Sequence, residues 1–215
     1  MGDSGIVDFR QQRAKSKGRG TETKTMKRKA GYVLLMMFTG LLLGGCQRKE
    51  PLEPPYDTTA LVVVSNRDYA PLLLSSITGA GESIHVIMYL MKHYPEDSLN
   101  GVSQLQDALI AAAQTNTDVK VILEKSDYNS SLNASNGSTF VYLDSMGLDV
   151  RFDPPSVTTH AKLVIVDGKT VFLGSSNWTR SALEDNNEMN VKIQDPDIAG
   201  AMETYFQELW SLSSQ

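Results

Sequence analysis

Apolar residues alternate between two rhythms along this chain. Leu61–Val64 is a short β-branched run suited to a buried strand, and Ala70–Thr78 follows at helical spacing until Gly79 and Gly81 interrupt it. Ser83–Leu90 returns to strand character. Gly101–Gln114 carries a helical stripe of Val102, Leu105, Ala108, Leu109 and Ala112, and Asp118–Glu124 is again a strand, so the domain begins as βαβαβ. Lys125–Gly137 is rich in Ser and Asn without an apolar period, which predicts a loop of 13 residues, long enough to act as a lid or a substrate-side loop. Thr139–Met146 is expected to be helical and to stop at Gly147, with a strand at Asp149–Phe152. Ala161–Val166 and Thr170–Leu173 flank Asp167-Gly168-Lys169, a hairpin-type connection. Glu188–Ile193 reads as the last strand. Asp195 and Pro196 then supply an N-cap and a proline at the first helical position, ahead of a face formed by Ile198, Met202, Tyr205, Phe206 and Leu209. This order predicts an α/β fold with a mixed, mostly parallel sheet flanked by helices.

The amino terminus follows a different pattern. Residues 1–30 are polar, rich in Lys, Arg and Gly, and have no apolar period; Met26 is a second candidate initiator. From Met26 the chain reads Met26-Lys27-Arg28-Lys29, an apolar stretch Tyr32–Leu43, and Gly44-Gly45-Cys46: a positive region, an apolar region of signal-peptide length and a small-residue cleavage site. The apolar stretch is short for a membrane span of about 20 residues. Leu43-Gly44-Gly45-Cys46 resembles the lipobox of bacterial lipoproteins, which implies cleavage before Cys46 and its acylation. Cys46 is the only cysteine, so no intramolecular disulfide competes for it. The expected organisation is a signal peptide with an upstream basic extension over 1–45, a lipid-anchored tether over 46–59 containing Pro51, Pro54 and Pro55, and one catalytic domain over 60–215. The lipobox resemblance implies attachment to a membrane of the bacterial cell envelope, facing the periplasm or the exterior. Gln47 in place of Asp leans towards the outer membrane.

Charge is distributed unevenly. The formal net charge is −5, yet residues 46–215 hold 22 acidic against 11 basic residues. An acidic domain disfavours tight nonspecific binding of nucleic acid, which draws its free energy from phosphate neutralisation, although a local basic cleft stays compatible with this balance.

The chemistry is concentrated in His160-Ala161-Lys162, Asp167, Gly174-Ser175-Ser176-Asn177 and Glu188. Side chains alternate along a strand, so His160 and Lys162 leave the same face about 6–7 Å apart and can address one phosphate. An imidazole can attack phosphorus or carry a proton near neutral pH, while an ammonium and an amide can hold the oxygens on which charge builds. Three histidines and one cysteine without paired-ligand spacing argue against a zinc site. His85 and His93 are expected to be structural, Trp178 to be core, and Arg180 to contact substrate or form a surface ion pair.

These positions match, without a gap, the HxKxxxxDxxxxxxGSxN (HKD) pattern of the phospholipase D superfamily, and the resemblance runs from about Leu61 to Leu212. It implies the phospholipase D-like fold and a metal-independent, cofactor-free mechanism. In it His160 forms a phosphohistidine, Lys162 and Asn177 bind phosphate, and Ser175 and Glu188 orient the histidine. Asp167 matches the motif's aspartate, which in this family is more structural than catalytic. The pattern occurs once, and no second His-x-Lys pair exists. Single-motif members similar to the bacterial endonuclease Nuc and to mitochondrial cardiolipin hydrolase pair two chains, which implies a homodimer sharing one active site.

Two substrate classes stay open on the sequence. The acidic domain and the lipid anchor favour a phospholipid, while the compact single-motif form favours DNA or RNA. An alcohol could replace water as the acceptor. A catalytically silent surface-binding module is a competing reading, opposed by the presence of His160, Lys162 and Asn177 together.

Overall fold

A computed structural model describes residues 61–215. The expected signal peptide, Cys46 and the tether lie outside these residues. Among the described residues no helix is long and apolar enough to cross a membrane.

The elements run β1 (Leu61–Ser65), α1 (Tyr69–Thr78), β2 (Ser83–Met88), α2 (Gly101–Gln114), β3 (Asp118–Leu123), α3 (Ser130–Ser145), β4 (Asp149–Phe152), β5 (Lys162–Val166), β6 (Thr170–Gly174), β7 (Met189–Gln194) and α4 (Pro196–Leu212). The strands form one sheet in the order β1-β7-β6-β5-β2-β3-β4.

The α/β class is as expected, but the sheet is not mostly parallel. Only β2–β3 and β3–β4 are parallel, while β1–β7, β7–β6, β6–β5 and β5–β2 are antiparallel. The cause lies in the connections. Helices α2 and α3 provide the crossovers that parallel neighbours need, whereas β5 and β6 are joined by a tight turn with positive φ at Asp167 (53°) and Gly168 (57°). β1 is the first strand of the described residues but pairs with β7, so the initial βαβαβ succession does not make three parallel neighbours.

A second correction concerns Lys125–Gly137. Residues 130–137 are the first half of α3, which starts after Asn129 with that side chain accepting from the Leu132 N–H at 3.1 Å. The inward stripe is Leu132, Asn136, Thr139 and Leu143. Half of it is polar, which hides the helical period from a hydrophobicity reading. The fold satisfies those polar groups. The Asn136 amide donates to Glu124 O at 2.7 Å and Tyr89 O at 2.9 Å and accepts from Met91 N–H at 3.0 Å, and Thr139 donates to Met91 O at 2.6 Å.

The sheet is covered on both faces, so its central strands are apolar throughout. One core gathers Val86, Met88, Val121, Val150, Val164 and Phe172 with Leu73 and Ile77 of α1 and Leu105 and Leu109 of α2. The other gathers Ile87, Ile122, Leu163, Ile165 and Val171 with Ala199, Phe206 and Trp210 of α4. Tyr205, expected on that inward face, is 47% exposed, because the α4 stripe runs through Ala199, Phe206 and Trp210 instead. Trp178 is fully buried in the first core.

Candidate active site

The strand register brings the chemical residues to one edge of the sheet. Met88 pairs with both Leu123 and Lys162, Leu123 with Phe152, Leu163 with Leu173, Gly174 with Asn190, and Ser65 with Met189. The last residues of β1, β2, β3, β4 and β6 therefore lie beside the first residues of β5 and β7. His160, Lys162, Ser175, Asn177 and Glu188 all sit at or just beyond this edge.

His160 precedes β5, and the Tyr89 N–H donates to Ala161 O at 3.1 Å, carrying the β2–β5 pairing up to it. Its ring is exposed and packs against the half-buried Tyr89, centroids 4.4 Å apart. Lys162 is 4% exposed. Its Nζ donates to His160 O at 2.8 Å, lies 3.1 Å from Nδ1 and 3.2 Å from Nε2 of the imidazole, and sits 4.7 Å from the Tyr89 ring centroid. The ammonium is thus held against the imidazole, as the alternation of a strand predicts.

The electrostatics follow from this packing. Partial desolvation, and then the Lys162 ammonium, push the His160 imidazole below its usual value and favour its neutral form. Burial lowers Lys162 in turn, and the Glu188 carboxylate opposes that shift.

Ser175 and Glu188 form a unit. The Ser175 hydroxyl donates to the Glu188 carboxylate and accepts from Met189 N–H at 3.1 Å, while the Asn186 amide donates to Glu188 at 3.0 Å. Asn66, in the turn just after β1, clamps the same residue: its side chain accepts from Glu188 N–H at 2.9 Å, and its own N–H donates to Glu188 O at 3.0 Å. Arg67 adds bonds to the carbonyls of Glu184, Asp185 and Asn186 at 2.7, 2.6 and 2.8 Å.

The turn bearing Asn177 depends on Gly174 and Asn190. A Cβ on Gly174 would lie 2.2 Å from Asn190 Oδ1 and 2.5 Å from Met189 O, so only glycine lets β6 and β7 approach this closely. Asn190, 2% exposed, donates to Ser176 Oγ at 2.9 Å and accepts from Ser176 N–H at 3.3 Å. The Oδ1 of Asn177 is a buried acceptor without a donor among the described residues.

Asp167 is not part of this constellation. It lies at the far end of β5, where its carboxylate accepts from the N–H groups of Gly81, Glu82 and Ser83 at 2.8–3.2 Å. Desolvation opposes its charge, but those N–H groups and Lys169 prevail and hold it below its ordinary value. Asp167 sits in the turn to β6, at the opposite end of β5 from His160 and Lys162. His85 is structural: 5% exposed, it is held by Glu203 at 2.8 Å and Asp118 at 3.3 Å and stacks on Phe206. His93 stacks on Tyr142, and Arg180 pairs with Asp97.

Four residues at the site escape a sequence reading: Asn66, Tyr89, Glu124 and Asn190. Each is separated from the HKD stretch or sits among ordinary strand residues. Asn66 alone carries a local sign, an asparagine with φ of 52° at a strand end. Among the described residues no cluster of His, Cys, Asp and Glu is arranged to hold a metal ion.

Residues 73–210 match the family model described as cardiolipin synthase, PLD-like domain. The mitochondrial cardiolipin hydrolase of Xenopus laevis is 31% identical over 138 residues, 64% of this chain and 59% of that protein. The phospholipase D of Rickettsia typhi is 30% identical over 139 residues, 65% of this chain and 60% of that protein. The chain thus spans less than two thirds of the length of these curated relatives. Among solved structures, Nuc from Salmonella typhimurium, a phospholipase D family member, has a TM-score of 0.60 at 27% identity, covering 72% of this chain and 95% of the other. The matched segment contains His160, Lys162, Ser175, Asn177 and Glu188, the motif residues gathered at that edge, and on that basis the chain belongs to the phospholipase D-like family.

Proposed function

We propose that this protein hydrolyses phosphodiesters through a phosphohistidine on His160. The observation that carries the reading is the edge itself: an exposed imidazole with an ammonium 3.1 Å away, its pKa lowered by desolvation and then by that charge, and a serine–glutamate unit beside it. A ring nitrogen of His160 attacks phosphorus, Lys162 and Asn177 hold the oxygens that gain charge, and the P–O bond to the leaving group breaks. The leaving oxygen needs a proton, and the chain has one HKD motif. We assign that proton to His160 of a second copy in a twofold homodimer, which is the protonated imidazolium while the first copy's ring attacks as the neutral base. The second copy's imidazole then takes a proton from water, which cleaves the phosphohistidine and releases the phosphate monoester.

Phospholipid is the preferred substrate class, supported by relatives named cardiolipin hydrolase and phospholipase D and by the acidic domain. An acylated Cys46 would hold the site at the membrane surface of the cell envelope. One observation favours nucleic acid instead. Cavities of 360 and 170 Å³ lie along the first half of α3, lined by Tyr89, Lys92, Asn129, Ser131 and Ser135, with no carboxylate on their walls.

His160→Asn is expected to abolish turnover of bis(p-nitrophenyl) phosphate, measured on the full chain, with an unchanged circular dichroism spectrum. Full activity in that variant would sink the mechanism. Offering cardiolipin vesicles, plasmid DNA and RNA to the same preparation decides the class. The lipid reading fails if nucleic acid alone is consumed.

A further inference from the structure

We infer that Glu124 and Asp153 hold one proton between them, and that this buried acid pair fixes the main chain at Thr159 and thereby the position of His160. The inference builds on the reading of His160 as the nucleophile, but it concerns residues outside the HKD pattern.

The two carboxyl groups stand one rung beyond the Leu123–Phe152 pair of β3 and β4, and Asp153 N–H donates to Leu123 O at 3.1 Å to continue the ladder. Glu124 is 1% exposed and Asp153 2%. Each has one oxygen accounted for. Glu124 Oε2 accepts from Thr159 N–H at 2.6 Å, and Asp153 Oδ1 accepts from Lys125 N–H at 2.7 Å. The remaining oxygens, Glu124 Oε1 and Asp153 Oδ2, are buried, and no other group among the described residues donates to them. Two facing carboxylates repel, but a single proton between them converts the pair into donor and acceptor and satisfies both oxygens.

The surroundings favour that proton. Burial, then the hydrogen bond with Asp153, push the Glu124 carboxyl up to about 7, against the pull of the Thr159 N–H. From α3 the neighbours are the uncharged amides of Asn133, bonded to Ser126, and Asn136, bonded to Glu124 O. The nearby charged groups are Lys125, whose ammonium lies over the Phe152 ring at 5.3 Å, and the His160–Lys162 pair at the head of β5.

The pair acts through the backbone. Residues 153–161 form the irregular connection from β4 to β5, and Thr159, 6% exposed, is held by Glu124 one residue before His160. While the pair keeps its proton, the chain approaches β5 along a fixed path. When the proton leaves, two buried negative charges face each other, the ladder end loosens, and His160 loses its fixed approach to phosphorus. Glu124 and Asp153 are thus positioning residues and touch no substrate.

The test is a carboxyl carbon NMR titration of the full chain, together with pH–rate profiles on bis(p-nitrophenyl) phosphate for the wild type, Glu124→Gln and Glu124→Ala. Glu124 is expected to titrate near the value of about 7 that its burial sets, with the His160 ring resonances moving in step. Glu124→Gln reproduces the protonated state, its carbonyl accepting from Thr159 and its amide donating to Asp153. It is expected to keep kcat within about twofold at mildly acidic pH and to lose the wild type's decline above neutrality. Glu124→Ala is expected to lower kcat about tenfold or more with little change in KM. A Glu124 signal titrating in the ordinary carboxylate range, or a Glu124→Gln profile superimposing on the wild type's, overturns the inference. The titration and the ring resonances need no turnover, so an inactive wild type would count against the hydrolase reading alone.

Discussion

Lys162 combines two demands that oppose each other. In the proposed mechanism its ammonium is charged to hold phosphate, yet it is buried at 4% exposure and faces an imidazole that attacks in its neutral form. The Tyr89 ring, the His160 carbonyl and the Glu188 carboxylate offset the loss of water around it. Lys162→Ala is therefore expected to act twice. It removes a clamp on the developing charge, lowering kcat about a hundredfold or more. It also removes a cause of the lowered His160 pKa, so the imidazole rises towards its ordinary value and the acidic limb of the pH–rate profile moves to higher pH. Both effects are read from one series of rate measurements; a loss of rate with an unmoved limb would show that the ammonium does not tune the imidazole. At this scale the sequence was largely legible: His160, Lys162, Ser175, Asn177 and Glu188 form a pattern by spacing, and the sheet edge gathers them. Tyr89 and Asn66 were not, since each acts across the sheet on a residue far away in sequence.

The elements were legible wherever apolar period and packing coincide. β2 and β5, with Ile84, Val86, Val164 and Ile165 buried, follow that rule. α3 departs from it because its inward face is half amide and hydroxyl. Asn136, fully buried, ties the chain just after β2 to the residue just after β3 with three bonds to Tyr89, Met91 and Glu124. Asn136→Ala leaves those backbone groups without partners, and the expected loss is about 3 kcal/mol, read from urea unfolding. A change under about 0.5 kcal/mol would mean that the amide's bonds are replaced. The direction of the strands escaped the sequence for another reason. Parallel and antiparallel neighbours are set by which strand ends meet, and β1 finds its partner in β7, more than a hundred residues later.

For the whole molecule, the single HKD motif predicts a twofold dimer. Light scattering on the purified protein is expected to give twice the mass of one chain, and a monomer retaining full activity would contradict the shared site. The same register has a further consequence for when the chemistry exists at all. The candidate site takes its residues from strand ends that are neighbours only in the completed sheet, and the serine–glutamate unit needs β7, the last strand, seated between β6 and β1. A chain not yet folded has its histidine, lysine, asparagine and glutamate strung apart and harmless. Under the proposed phosphodiesterase reading, closure of the final strand is thus a safety catch: the chain carries no working centre until folding is finished.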